Sequence, residues 1–175
     1  MAARQGGATL VEVAVTVSVL AILAAIGLPA MSALLDSQRT AGTLSSLVTH
    51  MQLARTAAVR HRQPVVLCPT TDAVRCATGG DWSTGWMLFI DRGDRRAPRS
   101  DDDLLRADLT PRTGRLRVEG SAGRSYVRYL PDGRSAGTNL TIRVCDREGR
   151  RLGAVIVNNA GRPRTERGPA GAACP

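Results

Sequence analysis

Residues 7–12 read Gly7-Ala8-Thr9-Leu10-Val11-Glu12, and residues 13–35, VAVTVSVLAILAAIGLPAMSALL, contain no charged side chain over 23 positions. Coiled as an α-helix, such a run extends about 35 Å, enough to cross a hydrocarbon core of about 30 Å. The leader ahead of it, MAARQGG, carries a single charge at Arg4. A secretory signal peptide has a shorter apolar region followed by a small-residue cleavage site. Here the small-residue pair, Gly6-Gly7, precedes the apolar run, so cleavage there leaves the hydrophobic helix in the mature chain. Glu12 stands inside the apolar segment, where a carboxylate is costly without a partner. Cleavage after Gly7 creates an α-amino group at Ala8, about one helical turn away. The amine of a neighbouring subunit can then neutralise Glu12; the alternative is a carboxylate snorkelling to the headgroups.

Beyond residue 35 the helical pattern resumes. Leu44, Leu47, Val48, Met51, Ala54 and Ala58 recur at three- and four-residue spacing, while Gln38, Arg39, Gln52, Arg55, Arg60 and Arg62 fall largely elsewhere. The pattern predicts a transmembrane half over 8–35 and an amphipathic half over 36–62, ended by Pro64. From Val65 the period shortens. Val65–Leu67, Trp86–Ile90, Leu104-Leu105, Leu116–Val118, Tyr126–Leu130, Leu140–Val144 and Ala154–Val157 read as strands, separated by Asp132-Gly133, Glu148-Gly149 and Ala160-Gly161. Residues 63–175 are therefore expected to form a compact β-rich head. Residues 91–103 mix four Arg with five Asp and read as a solvated loop. The run Asp101-Asp102-Asp103 lacks the ligand spacing of a calcium loop.

The four cysteines, Cys68, Cys76, Cys145 and Cys174, contain no CxxC pair, and His50 and His61 both fall on the predicted helix. That argues against zinc, and neither a metal nor a cofactor is expected. A head beyond the membrane lies in an oxidising compartment where disulfides persist. Of three possible pairings, Cys68–Cys76 closes the shortest loop, which leaves Cys145–Cys174 to tie down the tail. Pinned in that way, residues 158–175 become a loop of restricted geometry.

All 24 basic residues are Arg against 15 acids, a net charge of +9. Residues 1–109 hold 11 Arg and 10 acids, and residues 110–175 hold 13 Arg and 5 acids, so the excess lies in the second part. The tail contains Gly161-Arg162-Pro163-Arg164 and then Arg167. Pro163 fixes φ, and two guanidiniums on one side of an extended segment, roughly 7 Å apart, match successive phosphates of one strand. Arg150 and Arg151 extend the expected patch. Only five aromatics occur in the chain, which disfavours stacking of single-stranded bases. Contact with duplex phosphates without sequence readout is the expected chemistry. The alternative is that Arg162 and Arg164 keep a terminal loop soluble or pair with Glu166 and Asp146. No Ser/His/Asp or paired-carboxylate arrangement is present, so no enzymatic activity is expected.

Gly7-Ala8-Thr9-Leu10-Val11-Glu12 before an apolar helix resembles the prepilin signature of type IV pilins and pseudopilins. Ala8 stands where that family usually has Phe, and Pro29 matches its helix-kinking proline. The resemblance implies that residues 1–7 are a leader cut after Gly7 by a prepilin peptidase. It also implies that Ala8 is methylated, that Glu12 guides assembly with other pilins, and that the helix sits in the inner membrane below a periplasmic head. Leu67-Cys68-Pro69 with Cys76, Gly80-Asp81-Trp82-Ser83-Thr84-Gly85-Trp86, Pro131-Asp132-Gly133-Arg134-Ser135 and the Cys145 strand are similar to the FimT/GspH family. That likeness implies an α+β, type IV pilin-like fold, with a long N-terminal helix on a two-sheet β-sandwich head. Gly161, Arg162 and Arg164 match the Gly-Arg-x-Arg of FimT proteins, which implies binding of double-stranded DNA for uptake in natural transformation. A GspH-type pseudopilin of a type II secretion filament is the alternative.

Overall fold

The structure, a computed structural model, describes residues 9–93, 96–109, 116–137, 139–168 and 172–174. Gly7 and Ala8 lie outside them. Helix α1 runs Leu10–His61. It is followed by β1 (Val65–Pro69), β2 (Trp86–Ile90), β3 (Leu104–Asp108), β4 (Arg117–Gly120), β5 (Val127–Tyr129), β6 (Ser135–Ala136), β7 (Leu140–Cys145), β8 (Arg151–Val157) and β9 (Pro163–Arg167). The chain divides into two units, Met1–Gln38 and Arg39–Pro175.

In the first unit, Thr9 caps the helix by accepting the Glu12 N–H on its hydroxyl at 3.2 Å. Glu12 thus sits in the first turn, where unpaired N–H groups favour a negative charge. Leu10–Leu28 is long and apolar enough to cross a membrane, and none of it is buried by protein. Leu10, Val11, Leu20, Leu23, Ile26 and Leu28 are all exposed. Surfaces of that kind are stable in hydrocarbon and not in water.

The second unit pairs its strands antiparallel into two sheets, ordered β3-β2-β1-β5-β6 and β4-β7-β8-β9. Leu47, Met51, Ala54 and Ala58 of α1 are completely buried in one core with Val65, Leu67, Trp86 and Leu88 of the first sheet and Val118, Ile142, Val155 and Val157 of the second. A second cluster, Val66, Cys68, Cys76, Met87 and Phe89, covers the other face of the first sheet. Both faces of β1 and β2 are thereby covered, which explains their unbroken apolar runs, whereas β7 alternates buried with half-buried residues. Cys68–Cys76 and Cys145–Cys174 are bonded, the pairing that the spacing favours.

The described residues of 91–103 differ from the expected solvated loop. Asp91 and Asp103 are buried, Asp91 against the Arg128 guanidinium at 3.1 Å and Asp103 against Arg92 Nε at 2.6 Å. Arg partners that satisfy both carboxylates are what permit the burial. The tail differs as well. Residues 163–167 are not a loop but strand β9, in register with β8 from Val157↔Pro163 to Gly153↔Arg167.

Candidate nucleic-acid interface

The β8–β9 connection turns at Gly161, whose N–H donates to the Asn158 carbonyl at 2.9 Å and whose φ is +74°. A Cβ there would lie 2.2 Å from the Gly133 carbonyl oxygen. Only glycine allows both the left-handed backbone and that approach. The contact seats the β8–β9 turn on the β5–β6 turn, and Ser135 N–H to Asn159 O at 3.1 Å fastens it. Gly133 in turn, at φ +78°, meets α1, since a Cβ on it would be 3.1 Å from Arg55 Nε and 3.4 Å from Val59. Two glycines therefore stack the Arg162-bearing turn, the β5–β6 turn and the last turns of α1 against each other.

That stacking brings Arg162 to α1. A groove of about 750 Å³ is lined by Gln52, Arg55, Val59, Arg60, Arg162 and Pro163 among others, with no carboxylate among its lining residues. Arg162 is exposed. Beside this groove runs another, between Leu44, Val48 and Gln52 of α1 and Thr165, Glu166 and Arg167 of β9. Three guanidiniums around one open groove raise the local potential far above that of the same charges scattered. Tyr129 is buried near Arg55, and burial pushes its phenol pKa up despite the opposing pull of Arg55 and Arg124. It is neutral across physiological pH and cannot offset the cations.

The other expected residues are placed less favourably. Arg164 lies on the open face of the edge strand and donates from Nε and Nη2 to Glu166 Oε1 at 3.3 Å. The Arg164 side chain is largely exposed and that of Glu166 partly so, and a surface pair of that kind is worth about 0–1 kcal/mol, so a polyanion can displace the carboxylate. Arg162 precedes the strand, so alternation along β9 does not set its direction relative to Arg164. Arg150 and Arg151 do not extend the patch. The register puts them beyond the Arg167 end of β8, about 20 Å from the Arg162 end at ~3.3 Å per residue. Arg150 is also engaged, with Nε 2.6 Å from Asp146 Oδ2 and Nη2 3.7 Å from Glu148. Burial pushes the Asp146 carboxyl up, but bonds from the Arg150 backbone and guanidinium outweigh it and hold the carboxyl below the usual range. Arg151 is half-buried and its N–H donates to the Ala172 carbonyl beside the Cys145–Cys174 disulfide. Periodicity marks Arg55 and Arg60 only as polar helix positions. Their role depends on the docking of Gly133, 74 residues beyond Val59 in the chain.

A sequence profile of the family described as Type II transport protein GspH matches residues 43–161 of this chain. No curated protein sequence matches it significantly. Among solved structures, the type IV minor pilin FimU of Pseudomonas aeruginosa is 20% identical, with a TM-score of 0.55, over 76% of this chain and 98% of FimU. The solution structure of E. coli GspH is 13% identical, with a TM-score of 0.53, over 77% of this chain and 92% of its own. At those identities the likeness is one of fold. The profile match ends at Gly161, one residue before Arg162.

Proposed function

Because the chain belongs to the family of Type II transport protein GspH, a family of minor pilins and pseudopilins, we propose that it is a minor type IV pilin binding double-stranded DNA non-specifically for uptake in natural transformation. The observation that carries this reading is the groove in which Arg162 meets Arg55 and Arg60 without a carboxylate. Guanidiniums donate in forks that fit phosphate oxygens, and such contacts position a duplex without reading its sequence. Arg164 joins by exchanging Glu166 for phosphate. A single subunit is expected to bind with Kd of order 10⁻⁴ to 10⁻⁶ M, with several copies adding avidity.

In this reading Leu10–Leu28 anchors the chain in the inner membrane, with the head in the periplasm until assembly exposes it on the pilus. A prepilin peptidase removes residues 1–7 and methylates Ala8. Glu12, at the start of the helix, meets the terminal amine of a neighbouring pilin. A second reading, a structural pseudopilin of a type II secretion filament, is favoured by the description of the matching family. A mobility-shift titration of the full chain in detergent micelles separates the two. DNA uptake predicts a shifted duplex with parent chain and a weaker shift with Arg162→Gln/Arg164→Gln, whatever the duplex sequence. Failure of the parent to shift duplex leaves the secretion reading, and equal shifts by parent and variant rule out this site.

A further inference from the structure

A second basic recess is walled in part by residues of β5 and β6. It is a cleft of about 900 Å³ between the β1–β2 loop and the β4–β5 loop, and it includes Arg96, Arg124, Arg128 and Tyr126 in its wall, with no carboxylate among the described residues that line it. The two loops clasp at glycines. Gly120 N–H donates to the Gly80 carbonyl at 2.7 Å, and a Cβ on Gly80 would be 3.3 Å from the Gly120 carbonyl oxygen. Backbone therefore lines that part of the cleft.

The charges there are unequal. Arg128 is balanced by Asp91. Arg124 is half-buried and, among the described residues, donates only to neutral acceptors, from Nε to the Tyr126 carbonyl at 3.0 Å and from Nη2 to Ser135 Oγ at 2.9 Å and the Ala136 carbonyl at 2.5 Å. Its Nη1 is buried with no acceptor among the described residues. Burial accordingly pulls the Arg124 pKa down, the direction expected of a cation short of a counter-charge. Arg96 is exposed and lies over the Tyr126 ring at 5.0 Å, again with no carboxylate partner among the described residues. Cation–π packing holds the guanidinium plane while leaving its charge unneutralised. Hydroxyl donors complete the wall. Thr78 lines it, and Ser121 Oγ accepts the Thr141 N–H at 3.3 Å, which leaves the Ser121 proton to donate outward.

We propose that this cleft is an anion site that takes a phosphate group, held by Arg96 and Arg124. A tetrahedral oxyanion accepts from guanidiniums and hydroxyls arriving in several directions and supplies the counter-charge that Arg124 lacks among the described residues. The site shares no residue with the Arg162 groove, so either can fail without the other. The phosphate can come from a nucleic-acid backbone or from free phosphate.

Arg124→Gln removes bonds that hold the β4–β5 loop to β6, so Arg96→Gln, which loses only a side chain resting on Tyr126, is the variant of choice. The full chain in detergent micelles, labelled with ¹⁵N, is titrated with inorganic phosphate at constant ionic strength while arginine Nε–Hε resonances are followed. The Arg124 resonance moves saturably in parent and in Arg162→Gln, and Arg96→Gln weakens the response about tenfold, the effect of losing one charge-assisted bond. A 12-base-pair duplex that moves the same resonance in Arg162→Gln identifies the backbone as the source. Movement by inorganic phosphate alone identifies free phosphate. An Arg124 resonance that ignores phosphate, or that moves equally in Arg96→Gln, overturns the site.

Discussion

A methyl group at position 161 collides with a backbone oxygen, and one at position 133 presses closest on the end of a flexible arginine, with Val59 at ordinary contact distance. The difference separates two glycines that look alike in sequence. Gly161→Ala adds left-handed strain and a 2.2 Å clash with the Gly133 carbonyl, so it is expected to cost about 2 kcal/mol or more and to release Arg162 from α1. Gly133→Ala meets Arg55 Nε at 3.1 Å, an end that can swing aside, and is expected to cost about 1 kcal/mol, chiefly for its φ. Urea midpoints of the two variants check the order. Acid sensitivity is also a residue property. The Arg92 bond holds the buried Asp103 carboxyl below its ordinary value, against the opposing effect of burial. The unfolded chain therefore takes up that proton first as pH falls. The pair's stabilisation is complete above the ordinary carboxylate range near about pH 4 and disappears as pH drops through the lower, folded value. Asp103→Asn is expected to flatten that acid limb in a denaturation series, and an unchanged limb would contradict the assignment. Neither property is legible in the sequence. Glycine-rich turns are visible there, but which one a backbone oxygen touches is not, and Asp103 reads as solvated until its Arg92 partner is placed.

At the scale of elements, legibility follows burial. Strands β1, β2, β7 and β8 stand out in the sequence because their side chains fill the core, and the stripe from Leu47 to Ala58 marks the buried helix face for the same reason. Leu47, fully buried on the core face of α1, is expected to cost about 3 kcal/mol as Leu47→Ala, read from urea unfolding. Strand β9 leaves no such mark. Pro163-Arg164-Thr165-Glu166-Arg167 buries no side chain completely and is held by backbone pairing to β8, so hydrophobic period has nothing to detect. Its presence changes what the Cys145–Cys174 disulfide does. The sequence suggests that the cross-link orders the arginine-bearing tail. In the fold, β8 pairing and the Gly161 contact already order Arg162, and the disulfide anchors the tail beyond Arg167. Cys145→Ser/Cys174→Ser is therefore expected to lower stability by about 3.6 kcal/mol, the loop-closure contribution for 29 residues of separation. Duplex affinity should stay within twofold, and a large loss would restore the disulfide as organiser of the site.

For the whole molecule, charge is legible in amount but not in arrangement. Counting along the chain puts the excess in residues 110–175, whereas the groove takes Arg55 and Arg60 from α1 and Arg162 from the tail. Folding gathers across the linear boundary, and two of the expected cations, Arg150 and Arg151, end at the far end of β8. The membrane-competent helix is readable because it rests on a continuous stretch of chain. The central claim is that these three guanidiniums together hold a duplex by its phosphates, and the salt dependence of binding tests it most directly. Fluorescence anisotropy of a labelled duplex, titrated with the full chain at several salt concentrations, gives log K against log salt. Relative to parent, Arg55→Gln/Arg60→Gln/Arg162→Gln should bind more weakly with a slope shallower by about 2.7, at ~0.9 for each phosphate no longer neutralised. Arg150→Gln/Arg151→Gln should leave both unchanged. A triple variant with the parent's slope and affinity would contradict the account.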